Sequence, residues 1–398
     1  MKIRELLQEM VDQNASDIFI VAGLPLTYQV EGRQVRWDAP LMPADTSEVV
    51  HAIYGLAGRD INPFLNSFNH DDDYSFAVPG LGRFRVNVFR QRGSLSAIIR
   101  IIPFTLPTAE QYHIPEEVMA CAEFEKGLVL VTGPAGAGKS TTLACMIDRL
   151  NHERSGHIIT MEDPIEFVHR HDKCIVTQRE IPTDVATYSE ALRSAMRESP
   201  DIVLLGEMRD YDTIGTAVTA AEMAQLIFST LHTTGGANTI DRILDAFPAN
   251  QQRQIRMQLS MVLQAVVSQQ LVPALDGTEV PAFEVMRVNP AIRNLIREEK
   301  THQIDSVIAA NRSAGMRTMD QSLFDLVKEG TIAKDIALKY SIHKKRSKSA
   351  LLQKASRPCR FCSYSEKGRA KCAPLVFFQG EYLKENAKCV CALSGTSR

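Results

Sequence analysis

Ile3, Leu6, Leu7, Met10 and Val11 recur at helical spacing with charged residues between them, which predicts an amphipathic helix at the start of the chain. The period then shortens to two. SDIFIVAG, LTYQVEGRQVRW with a turn at Glu31-Gly32, RFRVNVFR and SAIIRIIP alternate apolar and polar positions between Gly and Pro turns and read as half-buried strands, with a second helix near Ser47 to Leu56. Residues 1–102 therefore predict a small α+β domain. PFTLPTAEQYHIP, with prolines at 103, 107 and 115, suits neither helix nor strand and reads as a linker over 103–115. Over 116–280 the pattern changes to short, wholly apolar runs, LVLVT, HIITM, IVLLG and LIFST, separated by helix-period segments. Such runs predict βαβ units and a sheet covered on both faces, so the fold class is α/β. NPAIRNLIREE, HQIDSVIAA and RTMDQSLFDLVKEG then predict a helical appendix over 281–340, and a tail follows over 341–398.

Composition changes this picture in two places. With 398 residues, 44% apolar and 23% charged, the chain reads as a folded multi-domain protein. No apolar run approaches the ~18 residues of a membrane span, and the N-terminus lacks the layout of a signal peptide, so the expected compartment is the cytoplasm. The net charge of -2 hides an asymmetry, because residues 341–398 hold 13 Lys and Arg against 3 Asp and Glu. Such a basic tail usually means a solvated segment rather than a nucleic-acid contact. Cysteines are also lopsided: Cys121, Cys145 and Cys174 stand singly in apolar surroundings as core filler, while Cys359, Cys362, Cys372, Cys389 and Cys391 crowd the tail.

The candidate chemistry starts at LVLVTGPAGAGKSTTLACMIDRL, where Gly133, Pro134, Ala135, Gly136, Ala137, Gly138, Lys139 and Ser140 satisfy the pattern G-x-x-x-x-G-K-[ST], followed by Thr141. A Gly-rich loop offers phosphates backbone N–H groups with no side chain in the way. Lys139 adds a positive charge, Ser140 a hydroxyl for magnesium, and the helix that starts there aims its positive end at the anion. A strand before and a helix after supply the context that this motif requires. In an open α/β sheet ligands bind beyond the carboxyl ends of the strands, so residues just past an apolar run are aimed at this loop. DIVLLGEMRD exits into Glu207, HIITM into Glu162, Asp163 and Glu166, and LIFSTL into His232. Carboxylates there can share metal binding or take a proton from water, and the imidazole can report on a terminal phosphate.

MEDPIEFVHR, ALRSAMRESPDIVLLGEMRD, TLHTTGGANTIDR and NPAIRNLIREEK resemble the secretion-type hexameric ATPases, most closely the twitching-motility (PilT) family of type IV pilus retraction motors, from about Met1 to Tyr340. The resemblance implies a PAS-like N-terminal domain, a RecA-like ATPase domain, ATP and Mg2+ as ligands, and a homo-hexamer. It also implies an inner-membrane platform protein as partner and peripheral membrane association through partners, while the acidic ATPase body and a tail not rich in aromatics give the expectation of no nucleic acid. Residue by residue, it implies that Gly133 to Ser140 are the Walker A loop and that Glu162, Asp163 and Glu166 fall in an acidic box with Glu166 as the water-activating base. Glu207 becomes the Walker B glutamate, and His232 lies in the His box. In related motors two N-domain arginines fifteen residues apart reach the nucleotide, and Arg85 and Arg100 match that spacing. Each also sits among apolar strand residues, where a guanidinium needs an anion: either a bound triphosphate or an internal salt bridge.

Retraction rather than assembly is expected, because QQLVPALDGTEVPAFE has no cysteine where assembly motors carry a zinc module, no extra N-terminal region is present, and NPAIRNLIREEK resembles a segment tied to retraction. On physical grounds alone its Ile292, Leu295 and Ile296 make a stripe suited to a core. Two departures stand out. Ala224-Gln225 replaces a Gly-His pair common in the family, which puts nucleotide sensing there in doubt, and Phe19 stands where His is frequent. Rival readings are a weakly hydrolysing regulatory ring subunit, the motor of a related type II secretion fibre, and a nucleic-acid translocase. Cys359-x-x-Cys362 has zinc-ligand spacing, but Cys389-x-Cys391 is tighter than usual. The tail is therefore read as a disordered or family-foreign appendage ahead of a Zn2+ site.

Overall fold

The computed structural model describes residues 2–30, 32–67, 71–102, 105–344, 362–364 and 370–372. In the N-terminal part, α1 (Ile3–Asp12) buries Ile3, Leu6, Leu7 and Met10, as its spacing requires. There follow β1 (Asp17–Ile20), β2 (Pro25–Val30), β3 (Arg33–Pro40), α2 (Pro43–Leu56), α3 (Asn62–Asn66), β4 (Asp71–Val78), β5 (Gly82–Gln91) and β6 (Ser94–Ile102). Helix α2 starts earlier than the pattern suggests, because Pro43 occupies its first turn and the Asp45 carboxylate accepts the Met42 N–H. Strand β4 is not apparent in the sequence. It opens with three aspartates, which disfavour strands, yet Tyr74, Phe76 and Val78 bury one face.

These strands form one antiparallel sheet in the order β3-β2-β1-β6-β5-β4. Along β5, Phe84, Val86 and Val88 turn into the core beneath α1 and α2, so Arg83 and Arg85 take the other face.

The second part runs α4 (Glu116–Met119), β7 (Gly127–Thr132), α5 (Lys139–Glu153), β8 (Gly156–Glu162), β9 (Cys174–Glu180), α6 (Tyr188–Ala195), β10 (Ile202–Leu205), α7 (Tyr211–Glu222), β11 (Leu226–Leu231), α8 (Gly236–Asp245), α9 (Ala249–Val262), β12 (Leu263–Pro273) and β13 (Glu279–Arg287). The sheet order is β13-β12-β7-β11-β10-β8-β9, parallel except for β13. Every residue of β7, β10 and β11 is buried, and separate apolar clusters cover the two faces, which is why these strands read as unbroken apolar runs. Strand β13 runs across position 280, where the sequence pattern marks the start of the helical appendix. The helices themselves begin at α10 (Pro290–Arg297), followed by α11 (Ile304–Ala310), α12 (Met319–Glu329) and α13 (Lys334–Tyr340).

Residues 1–347 form one compact unit. The Pro-rich segment is packed within it, since Ile114 is buried and Cys145 Sγ donates to the Pro107 carbonyl. In α10, Ile292 and Ile296 are buried and Leu295 packs beside them, so this stripe is core, while Arg293 donates to the Ser260 and Met261 carbonyls at the end of α9. The second unit is residues 348–398. Its described part is β14 (Cys362–Tyr364) paired antiparallel with β15 (Ala370–Cys372), with Cys362 opposite Cys372. Cys359, Cys389 and Cys391, and with them the question of zinc, lie outside the described residues.

Candidate nucleotide site

Parallel strands β7, β8, β10 and β11 end on one edge of the sheet, so the loops after them share one rim. A cleft of about 440 Å³ opens there. It is lined by Ala135 through Thr141 from the Gly-rich loop and the start of α5, by Glu162 at the end of β8 and Asp163, Pro164 and Glu166 after it, by Gly206, Glu207 and Arg209 after β10, and by Thr230 of β11 and His232 just after it. Tyr188 from α6 completes it.

The loop's shape depends on its glycines. Gly133 has φ 148°, and a Cβ there would lie 2.2 Å from the Gln269 carbonyl oxygen; Gly138, at φ 82°, would place one 2.9 Å from Gln269 Nε2. Gln269 of β12 supports the loop from below and accepts a 2.7 Å hydrogen bond from Thr142 Oγ1. Lys139 opens α5 and donates to the carbonyls of Gly133 and Pro134, both at 2.9 Å, which holds its ammonium over the loop. Burial pulls its pKa down, and Glu207 and Glu166 oppose this. Ser268 ties the rim together, accepting from Thr132 Oγ1 at 3.1 Å and from the Gly235 N–H at 2.8 Å.

The acidic side is graded by environment. Burial pushes the Glu162 carboxyl up to about 7, although Thr160 Oγ1 and Gln178 Nε2 donate to it. Burial also raises Asp163, against Arg85 and Arg209. Glu207 pairs with Arg209 at 2.5 Å and with His232 Nε2 at 3.5 Å. Gly206 explains why this glutamate follows a glycine: a Cβ at 206 would meet Tyr188 OH at 2.8 Å, Met161 O at 3.3 Å and Glu162 Cα at 3.4 Å. Thr230 Oγ1 donates to the Gly206 carbonyl at 2.6 Å and fixes the strand exit.

The cleft thus gathers Glu162, Asp163, Glu166, Glu207, His232 and the loop from Ala135 onward, with Gly133 and Pro134 just behind it. Arg85 and Arg100 are not among its lining residues. The β5–β6 hairpin sets them directly opposite each other, which accounts for their spacing, and each has an acidic partner. Arg85 holds Asp73 through 3.0 and 2.6 Å bonds, and Arg100 holds Asp17 at 3.0 Å. Two like charges side by side would repel without these carboxylates. Gln225 stands at the start of β11, at the opposite end from His232, and does not line the cleft. Sequence reasoning missed Arg209, Tyr188, Thr230 and Gln269. Arg209 was legible, lying two residues past Glu207 in the same strand exit, whereas Tyr188 and Gln269 come from distant segments without a motif.

Phosphate-sized anions suit the loop, and hydroxyl and carboxylate oxygens suit a hard cation. The profile of the family described as "Type II/IV secretion system protein" matches residues 109–356. The type IV pilus retractation ATPase PilT of Pseudomonas aeruginosa is 47% identical over 341 residues, 85% of this chain and 97% of that one. A twitching motility protein of Neisseria gonorrhoeae is 44% identical over 336 residues, covering 84% and 89%. A crystal structure of the pilus retraction motor PilT with bound ADP superposes with a TM-score of 0.80 at 42% identity, over 87% of this chain and 98% of that one. With a nucleotide cleft at the strand ends and likeness along nearly the whole of such relatives, the chain belongs to the type II/IV secretion system protein family, in its PilT branch.

Proposed function

We propose that this chain is an ATPase motor that works as a homo-hexamer and hydrolyses Mg-ATP to drive type IV pilus retraction. The carrying observation is the single cleft into which four parallel strands deliver a phosphate loop, Glu162, Asp163, Glu166, Glu207 and His232. Lys139 and the loop N–H groups hold the phosphates and offset charge as it develops, so catalysis is mainly positioning and electrostatics. Glu166 takes the proton of the attacking water, with Glu207 orienting it. Among the described residues no three His, Cys, Asp or Glu side chains converge to hold a metal unaided. Ser140 and Glu207 offer oxygens of the kind magnesium prefers, and magnesium is commonly bound through substrate phosphates as well; when bound, it neutralises phosphate charge.

The N-terminal sheet, with its first and last strands side by side at the centre, supports a PAS-like domain, and the parallel sheet a RecA-like one. Arg85 and Arg100 reach the nucleotide of the neighbouring subunit in the ring, exchanging their acidic partners for phosphate. The load is a platform protein at the inner face of the membrane. Among the described residues no helix is long and apolar enough to cross a membrane, so this reading makes the association peripheral. A weakly hydrolysing regulatory subunit has less motive from Gln225, which lies at the far end of β11 from the cleft, while the unusual tail that also motivates it lies mostly outside the described residues. Steady-state phosphate release from the purified chain is the test. Lys139→Ala and Glu207→Ala should each abolish it, and undiminished turnover in both variants overturns the assignment.

A further inference from the structure

Glu180, the last residue of β9, keeps its carboxylate 3% exposed, which is costly for a charge without a partner. Its Oε2 accepts from two directions. Ile165 N–H donates at 3.1 Å from the loop after β8, and Arg83 Nη2 donates at 2.7 Å from β5 of the N-terminal sheet. Ile165 lies between Asp163 and Glu166, both of which line the nucleotide cleft. The ladder places Glu180 opposite Glu162, and the Ile181 N–H donates to the Glu162 carbonyl at 2.8 Å, so the start of this loop is pinned to β9. Asp184 Oδ2 accepts the Glu180 N–H at 2.8 Å and holds the strand end itself. Arg83 Nε is buried without a partner among the described residues, so the guanidinium's buried contact is the one to Glu180.

We propose that Arg83 is a positioning residue that couples the N-terminal domain to the acidic loop of its own chain. While β5 is seated, Arg83 pairs with the Glu180 carboxylate, which holds the Ile165 amide and so fixes Asp163 and Glu166 at the cleft. When the domain swings away, Glu180 loses its cation in a buried place, where an unpaired charge is strongly unfavourable, and its hold on the loop weakens. Hydrolysis is then permitted only in the seated arrangement. This rests on the ATPase reading above and adds to it a contact within one chain.

The test compares the full-length chain with Arg83→Ala, Arg83→Lys, Glu180→Gln and the double variant Arg83→Ala/Glu180→Gln. Two quantities are read: kcat and KM for Mg-ATP, and hydrogen exchange of the Ile165 amide with ADP bound. Arg83→Ala should lower kcat about tenfold, as a sub-ångström displacement of a reacting group does, with KM within about twofold. Ile165 exchange should speed up in parallel. Arg83→Lys should recover most of both, and so should the double variant, because the neutral carboxamide that Glu180→Gln introduces needs no cation and its oxygen still accepts from Ile165. Wild-type kcat and protection in Arg83→Ala overturn the proposal; so does a loss that neither Arg83→Lys nor the double variant repairs. Should Arg83→Ala not fold, Arg83→Gln takes its place under the same criteria. A wild-type chain without turnover sinks the motor reading, and the Ile165 exchange series, which needs no hydrolysis, then decides the coupling alone.

Discussion

Replacing Gly206 by alanine would add a single methyl group where β10 leaves the sheet, 2.8 Å from the Tyr188 hydroxyl and 3.3 Å from the Met161 carbonyl oxygen. Gly206 is not at positive φ, so backbone strain is not the issue; contact is. Ordinary van der Waals contact starts near 3.4 Å, so either the Tyr188 ring or the 206–207 backbone must yield. The shift needed is about 0.6 Å, and overpacking of this kind costs about 1–3 kcal/mol. Both groups border the cleft, and since a misplacement of 1 Å can cost about a hundredfold, a shift of this size predicts about a tenfold fall in kcat. The hydroxyl is the one atom inside 3.0 Å, while the Met161 carbonyl oxygen is only about 0.1 Å inside ordinary contact. Tyr188→Phe should therefore restore most of the activity and melting temperature when combined with Gly206→Ala, while having a small effect by itself. The assay is phosphate release at saturating Mg-ATP with thermal unfolding on the same four proteins. If the double variant is as slow as Gly206→Ala, or if Gly206→Ala turns over at the wild-type rate, the contact is not what requires glycine before Glu207.

Other consequences can be checked independently. Ala224 sits at φ 74°, where an L side chain is strained, so Ala224→Gly should stabilise the chain by about 1 kcal/mol in thermal or denaturant unfolding, less the entropy that glycine adds to the unfolded state. The Glu162 carboxyl, held up to about 7, binds its proton more tightly folded than unfolded, so its ionisation costs stability as pH rises from the ordinary carboxylate range through 7. Glu162→Gln should therefore gain in melting temperature on the wild type between pH 5 and pH 8, and parallel curves would count against it. Arg100→Ala should cost little stability, because the arginine is 66% exposed even though its partner Asp17 is only 15% exposed, yet depress hydrolysis in the assembled ring. Mixing it with Lys139→Ala subunits should restore part of the activity if the arginine acts on a neighbour's nucleotide, since mixed rings then contain some complete sites.

Much of the site was legible because its chemistry is local. The Gly-rich loop must be contiguous to wrap an anion, and Glu162, Asp163, Glu166, Glu207 and His232 each follow an apolar run that can only be a buried strand, so exit position alone aims them at one rim. Strand β4 was hidden by its leading aspartates. The stretch crossing position 280 was hidden because β13 is an antiparallel edge strand without an unbroken apolar run.

The one-dimensional pattern by itself determined the α/β class, the phosphate loop and the order of the strand exits, because hydrophobic period and a contiguous motif are properties of neighbouring residues. Only the tertiary structure decided that Arg85 and Arg100 stand opposite each other on acidic partners, that Gln225 lies away from the cleft, and that the apolar stripe of α10 is core. It also decided that Gln269 and Tyr188 shape a site far from them in sequence and that Arg83 meets Glu180. These are contacts between distant segments, set by sheet register and by which face of a strand is buried, and a one-residue change of register would undo them without altering any local pattern.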